Sequence, residues 1–243
     1  MAGSGRRGLY WAIAGGVVLL VGVAALIIAS LGRPPAEGPT PAPTSTSVTS
    51  SPQPTQGEAG PVVDEAAADR GWVPEPVTTD PELYVRAALA AGGTFDTTQG
   101  ATYEDWISYL HTWFTPDTRY TSNADRQAEL EAAKLEMRQS VVFPEEEWDS
   151  LAREDGRVAS IVIGGVTLAP VPQDESGDMS IGTADVTITF TRADGAGGDV
   201  SYEESTRLSV QVLCGPGSIP TPDSAQQAGD CKLVRFFSEP VEP

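Results

Sequence analysis

The sequence predicts an α+β extracytoplasmic domain carried on one transmembrane helix. N-terminal helices pack on a curved antiparallel sheet of four strands. Three observations lead there. Leu9 to Leu31 holds no charged residue. Residues 80–153 carry apolar side chains at helical intervals. After Asp155-Gly156 the apolar period changes from helical to two. Helices followed by antiparallel strands, rather than alternating with them, are the pattern of an α+β layer pair.

The apolar run LYWAIAGGVVLLVGVAALIIASL is long enough, at about 1.5 Å per residue, to span a hydrocarbon layer of about 30 Å. Tyr10 and Trp11 suit the headgroup boundary, and Arg6 and Arg7 outweigh Arg33 in flanking charge. Residues 1–8 are therefore expected in the cytoplasm, 9–31 in the membrane and everything after them outside. A cleaved signal peptide has a shorter apolar core, and Ile28-Ala29-Ser30 is a poor cleavage site.

Residues 32–79 read as a Pro/Thr/Ser-rich disordered linker, since their composition offers too little apolar surface to offset the entropy of ordering. Polyproline geometry at about 3.1 Å per residue would carry such a stalk on the order of 140 Å. Trp72, Val73 and Val77 are candidates for docking on the domain that follows. That domain is placed at 80–239, with 240–243 as a tail.

Within it, Asp80-Pro81 reads as an N-cap and first helical residue, and Gly92-Gly93 stops the helix PELYVRAALAA. Thr102 and Asp105 have capping-box spacing, with Asp in the usual place of Glu or Gln. The helix they open carries Tyr103, Trp106, Ile107, Leu110, Trp113 and Phe114 until Thr115-Pro116, a broad aromatic stripe that needs a partner surface. A third helix from Ser122 or Asn123 has Leu130, Ala133, Met137 and Val141 on one side and a charged face most simply left in solvent. A short helix around Trp148 follows Pro144. Strands are expected over 157–171, 181–192, 200–214 and 232–238. Gly164-Gly165 marks a bulge, and Asp194-Gly195 with Gly197-Gly198 marks a turn.

The net charge is −19, and the 12 basic and 34 acidic residues beyond Arg33 leave the outer part at −22. Such a surface repels phosphate backbones, which excludes nucleic acid as a direct ligand. Cys214 and Cys231, the only cysteines, are expected to form one disulfide, since both lie in the outer part and flank a 16-residue loop. No cofactor and no metal is expected: the chain has one histidine, no phosphate loop and no nucleophile elbow, and Glu145-Glu146-Glu147 lacks looped ligand spacing.

The order of elements, with Thr94-Phe95-Asp96-Thr97-Thr98, Trp106 through Leu110, Trp113-Phe114-Thr115-Pro116 and the Val/Ile-rich first strand, resembles nuclear-transport-factor-2-like cone domains. The likeness is to the outer domains of bitopic actinobacterial proteins similar to conjugation and type IV secretion scaffolds, and covers residues 80–239. It implies an architectural role, with other envelope proteins and copies of the chain itself as partners. Enzymes on that fold keep acid–base groups inside the cone. Here the candidates would be His111, Asp96, Tyr109 and Asp149, yet His111 sits at the edge of an apolar stripe and Asp96 reads as a turn residue. The expectation is therefore no enzyme. The alternative is a small-ligand binding or sensor domain whose cavity is lined by Trp106, His111, Trp113 and Phe190.

Overall fold

A computed structural model describes residues 60–241. The expected membrane helix and most of the expected linker lie outside the described residues. Among the described residues no helix is long and apolar enough to cross a membrane.

The elements in order are α1 (Ala66–Asp69), α2 (Pro81–Ala91), β1 (Phe95–Asp96), a 3₁₀ turn (Thr97–Gln99), α3 (Tyr103–Thr112), α4 (Asn123–Ser140), α5 (Glu145–Ala152), β2 (Arg157–Pro170), β3 (Met179–Ala193), β4 (Asp199–Leu213) and β5 (Lys232–Phe237). The fold is α+β, with the sheet order β1-β2-β3-β4-β5 and every pairing antiparallel. The sheet thus has five strands where four were expected. The extra strand is two residues long, too short for any period-two signal, and pairs Phe95 with Val158 and Asp96 with Arg157.

Capping sets the helix starts. Asp80 Oδ1 accepts from the amides of Glu82 and Leu83 ahead of α2. Thr102 and Asp105 form the reciprocal capping box of α3. Ser122 Oγ accepts from the Asp125 amide ahead of α4. The bulge appears as a register shift between Ile163 and Thr167, with Gly164 at φ 69°.

One face of the sheet presents Val158, Val186, Phe190, Val210 and Val212 to the helices. Helix α2 lies close on that face, because a Cβ at Gly182 would stand 2.5 Å from Val85 Cγ2. The opposite face is buried only toward one end, where Val171, Met179, Ile181, Leu213 and Val234 form a second, small core with Phe237 and Val241. Val241, expected in a free tail, is tied down: its amide donates to Ser209 Oγ at 2.8 Å and its carbonyl accepts from Thr183 Oγ1 at 2.9 Å. Packing therefore runs past the expected limit at 239, because this patch of sheet needs an apolar cover.

The start of the domain shifts further. Residues 61–78 form a strap in which Val62 bridges Pro76 and Trp72 is buried against the Tyr109 ring at 5.1 Å. The Cys231 amide donates to the Thr78 carbonyl at 2.7 Å. Packed chain thus begins near residue 61 instead of 80. Prolines there do not signal a free linker, since the strap is held by side chains and by bonds at its ends.

The face of α4 expected in solvent also makes tertiary ion pairs, from Arg138 to Glu104 on α3 and from Glu136 to Arg235 on β5 at 2.7 Å. Such exposed pairs contribute little, so Ala133 and Met137, with the partly buried Leu130, hold the helix on the core.

Candidate functional site

The space between the helices and the sheet is filled by rings. Phe95 stacks on Trp148 at 4.5 Å and tilts against Trp106 at 5.0 Å, while Tyr103 meets Trp106 and Trp148 at 6.1 and 6.0 Å. Trp113 packs between Tyr84 and Tyr109 at 5.8 and 6.1 Å. Trp106 and Trp113 are 0% and 1% exposed, and their indole N–H groups are buried without an acceptor, so packing alone positions both rings. Phe190 stacks on Tyr202 at 4.7 Å and meets Phe143 at 5.5 Å. None of these three side chains lines the cleft of about 620 Å³ between the strap and α3.

His111 lies apart from them at the helix edge, half-buried, its ring against Phe114 at 6.4 Å and its Nε2 without a partner. Burial holds its imidazole below the usual range, with Lys134 adding to the effect. Asp96 is a turn residue, accepting from the Thr98 amide at 2.9 Å and capping the 3₁₀ turn. Asp149 is exposed on α5. Tyr109 is committed to the strap: it donates to the Val73 carbonyl at 2.8 Å and accepts from the Glu75 amide at 3.0 Å. The four acid–base candidates are not gathered at one place. Cys214 and Cys231 are joined, with Cα atoms 4.0 Å apart, and close the loop between β4 and β5.

The dense polar chemistry of the domain lies where the strap meets that loop. Glu75 and Lys232 are 0% and 1% exposed and form an ion pair at 2.8 Å. Glu75 Oε1 also accepts from Tyr84 Oη at 2.6 Å and from Gln226 Nε2 at 3.1 Å. Lys232 Nζ donates to the Thr112 carbonyl at 2.7 Å and to Thr221 Oγ1 at 2.8 Å, and lies 3.4 Å from Gln226 Oε1. Gln226 Oε1 accepts from the Thr221 amide at 2.9 Å. Glu75 Oε2 is buried with no partner. Burial pushes the Glu75 carboxyl up and the Lys232 ammonium down, each against the pull of the other. Burial likewise drives the Tyr84 phenol well above its usual range, and the Glu75 charge adds to it.

Sequence reasoning missed this cluster. Its two legible traces are Lys232 opening an apolar strand directly after Cys231, and Glu75 set between two prolines. Nothing in the sequence links positions 157 apart.

Above the cluster, a surface cleft of about 620 Å³ separates the strap from α3. Asp64, Arg70 and Trp72 form one wall, and Asp105, Ser108 and Tyr109 the other. Its charges are already paired or capped: Arg70 reaches Asp64 at 3.3 Å and lies over the Trp72 ring at 5.1 Å, and Asp105 is engaged with Thr102. Among the described residues no group of three or more His, Cys, Asp or Glu could hold a metal ion.

Comparison with known proteins finds no matching family model and no matching curated protein. Among solved structures, the chain is similar to an IcmL-like type IV secretion system protein from Legionella pneumophila. The identity is 10%, with 65% of this chain and 88% of that one covered and a TM-score of 0.38. It is also similar to a periplasmic fragment of TraM, with 15% identity, 63% and 89% coverage and a TM-score of 0.31.

Proposed function

We propose that this chain is a non-catalytic scaffold of the cell envelope, anchored by residues 9–31. It presents a nuclear-transport-factor-2-like domain outside the cytoplasm as a component of a conjugation or secretion apparatus. The observation that carries this reading is the filled cone: Phe95, Trp106, Tyr103 and Trp148 interlock where an enzyme or sensor on such a fold would hold its ligand. A rigid, filled domain presents its outer surface to partners. The acidic surface favours proteins over nucleic acid, and the motifs Thr94–Thr98 and Trp113–Pro116 that resemble secretion scaffolds support the assignment to such an apparatus.

The burial of Trp106, Trp113 and Phe190 among other rings weighs against the cone-cavity alternative. The reading is tested by crosslinking in intact cells of the native host, followed by detergent extraction of the full chain. Discrete adducts with named envelope proteins, or with further copies of the chain, are expected. A chain recovered only as an uncrosslinked monomer contradicts the proposal.

A further inference from the structure

The buried cluster at the strap has more than the parts of an ion pair. A primary amine, a side-chain amide and a carboxylate stand in mutual contact. Lys232 Nζ and Gln226 Nε2 both donate to the same atom, Glu75 Oε1, at 2.8 and 3.1 Å. One carboxylate oxygen therefore reaches both the amine that would attack and the nitrogen that would leave, as general acid–base catalysis requires. The amide oxygen Gln226 Oε1 accepts from the Thr221 backbone N–H at 2.9 Å, a fixed donor at the oxygen where negative charge develops. Nζ approaches that amide to 3.4 Å from its oxygen, held by the Thr112 carbonyl and Thr221 Oγ1. Water is kept away: Glu75, Lys232 and Gln226 are 0%, 1% and 7% exposed.

We propose that this cluster is a self-modification site in which Lys232 and Gln226 become joined by an isopeptide bond, with Glu75 as the catalytic acid–base. Nζ gives a proton to Glu75 and its lone pair attacks Gln226 Cδ, the carbonyl electrons moving onto Oε1 beneath the Thr221 amide. Glu75 returns that proton to Nε2, the Cδ–Nε2 bond breaks as the carbonyl re-forms, and ammonia leaves. A second Nζ proton passes to Glu75, so the product is a neutral secondary amide beside a protonated carboxyl. No oxidant, reductant or co-reactant is needed.

The driving force lies in the burial itself. An ammonium and a carboxylate held out of water are each costly, and the exchange replaces both by neutral groups. Burial already raises the Glu75 carboxyl and lowers the Lys232 ammonium, which favours the neutral amine that must attack. The bond would lock residues 226–232 beside the Cys214–Cys231 disulfide, so that reducing conditions could not free the loop on which the strap rests.

The test is the intact mass of the full-length chain, purified from an extracytoplasmic location, with its N-terminus identified and its disulfide reduced under denaturing conditions. The expected mass is the sequence mass less one ammonia. Tandem spectra should show a branched peptide joining Gln226 to Lys232, and trypsin should fail to cut after Lys232. Glu75→Gln, which keeps the size and removes the acid–base, should retain the ammonia. So should Gln226→Asn, whose amide falls one methylene short. A wild-type chain of full sequence mass that trypsin cuts at Lys232 overturns the proposal. Loss of one water, with the branch at Glu75, overturns the assignment to Gln226, and an E75Q chain that still loses ammonia overturns the role of Glu75. None of these results depends on whether the protein is a scaffold.

Discussion

At the scale of single residues, packing and burial decide what the side chains do. Trp106 touches Phe95, Tyr103 and Trp148 and is fully buried, so Trp106→Ala removes the hub of the aromatic core. A loss of about 3–5 kcal/mol is expected in urea unfolding. A change under 1 kcal/mol, on the order of a surface substitution, would contradict the filled aromatic core. His111 gives a pH signature. Burial depresses its folded-state pKa below the usual 6.5, so the unfolded chain binds the proton more readily as pH falls. Its contribution to stability is therefore present above that pH and is lost as pH drops below it. His111→Gln should flatten the pH dependence of the melting temperature in that window relative to wild type. An unchanged difference between the two proteins across pH 5 to 7 would show the imidazole to be solvated. The ring stripe of α3 was plain in the sequence because its spacing is local. The Glu75–Lys232 pair was not, because a bond across 157 positions leaves no periodic trace.

At the scale of elements, the sheet was legible wherever a strand ran long enough to alternate, and β2 through β5 fall within two residues of their expected limits. The two-residue β1 and the 3₁₀ turn after it are shorter than any period. The strap was only partly legible: Pro-rich chain reads as linker, Trp72, Val73 and Val77 hinted at docking, and the burial of Trp72 and Glu75 extends the packed chain to the whole strap. The β4–β5 loop rests on the Cys214–Cys231 bridge. Reduction should lower stability by about 3 kcal/mol for a loop of this length, read as a fall in melting temperature. A free-thiol assay that finds two thiols in the native protein would refute the bridge. Close packing of α2 on the sheet leaves no room at Gly182, so Gly182→Ala should destabilise by about 1–3 kcal/mol.

At the scale of the whole molecule, the proposed anchor and stalk would reach the domain through the strap, where the packed chain begins. A fragment beginning at residue 80 lacks Trp72 and Glu75 and leaves Lys232 buried without its counter-charge. It should be recovered unfolded or aggregated, whereas a fragment from residue 60 should melt cooperatively. Equal melting of the two would return the boundary to Asp80. The central proposal is that residues 34–243 lie outside the cytoplasm on a membrane anchor, and accessibility tests it most directly. Protease added to intact spheroplasts should degrade the outer domain while a cytoplasmic marker survives. Protection of the domain until the membrane is lysed would contradict the account.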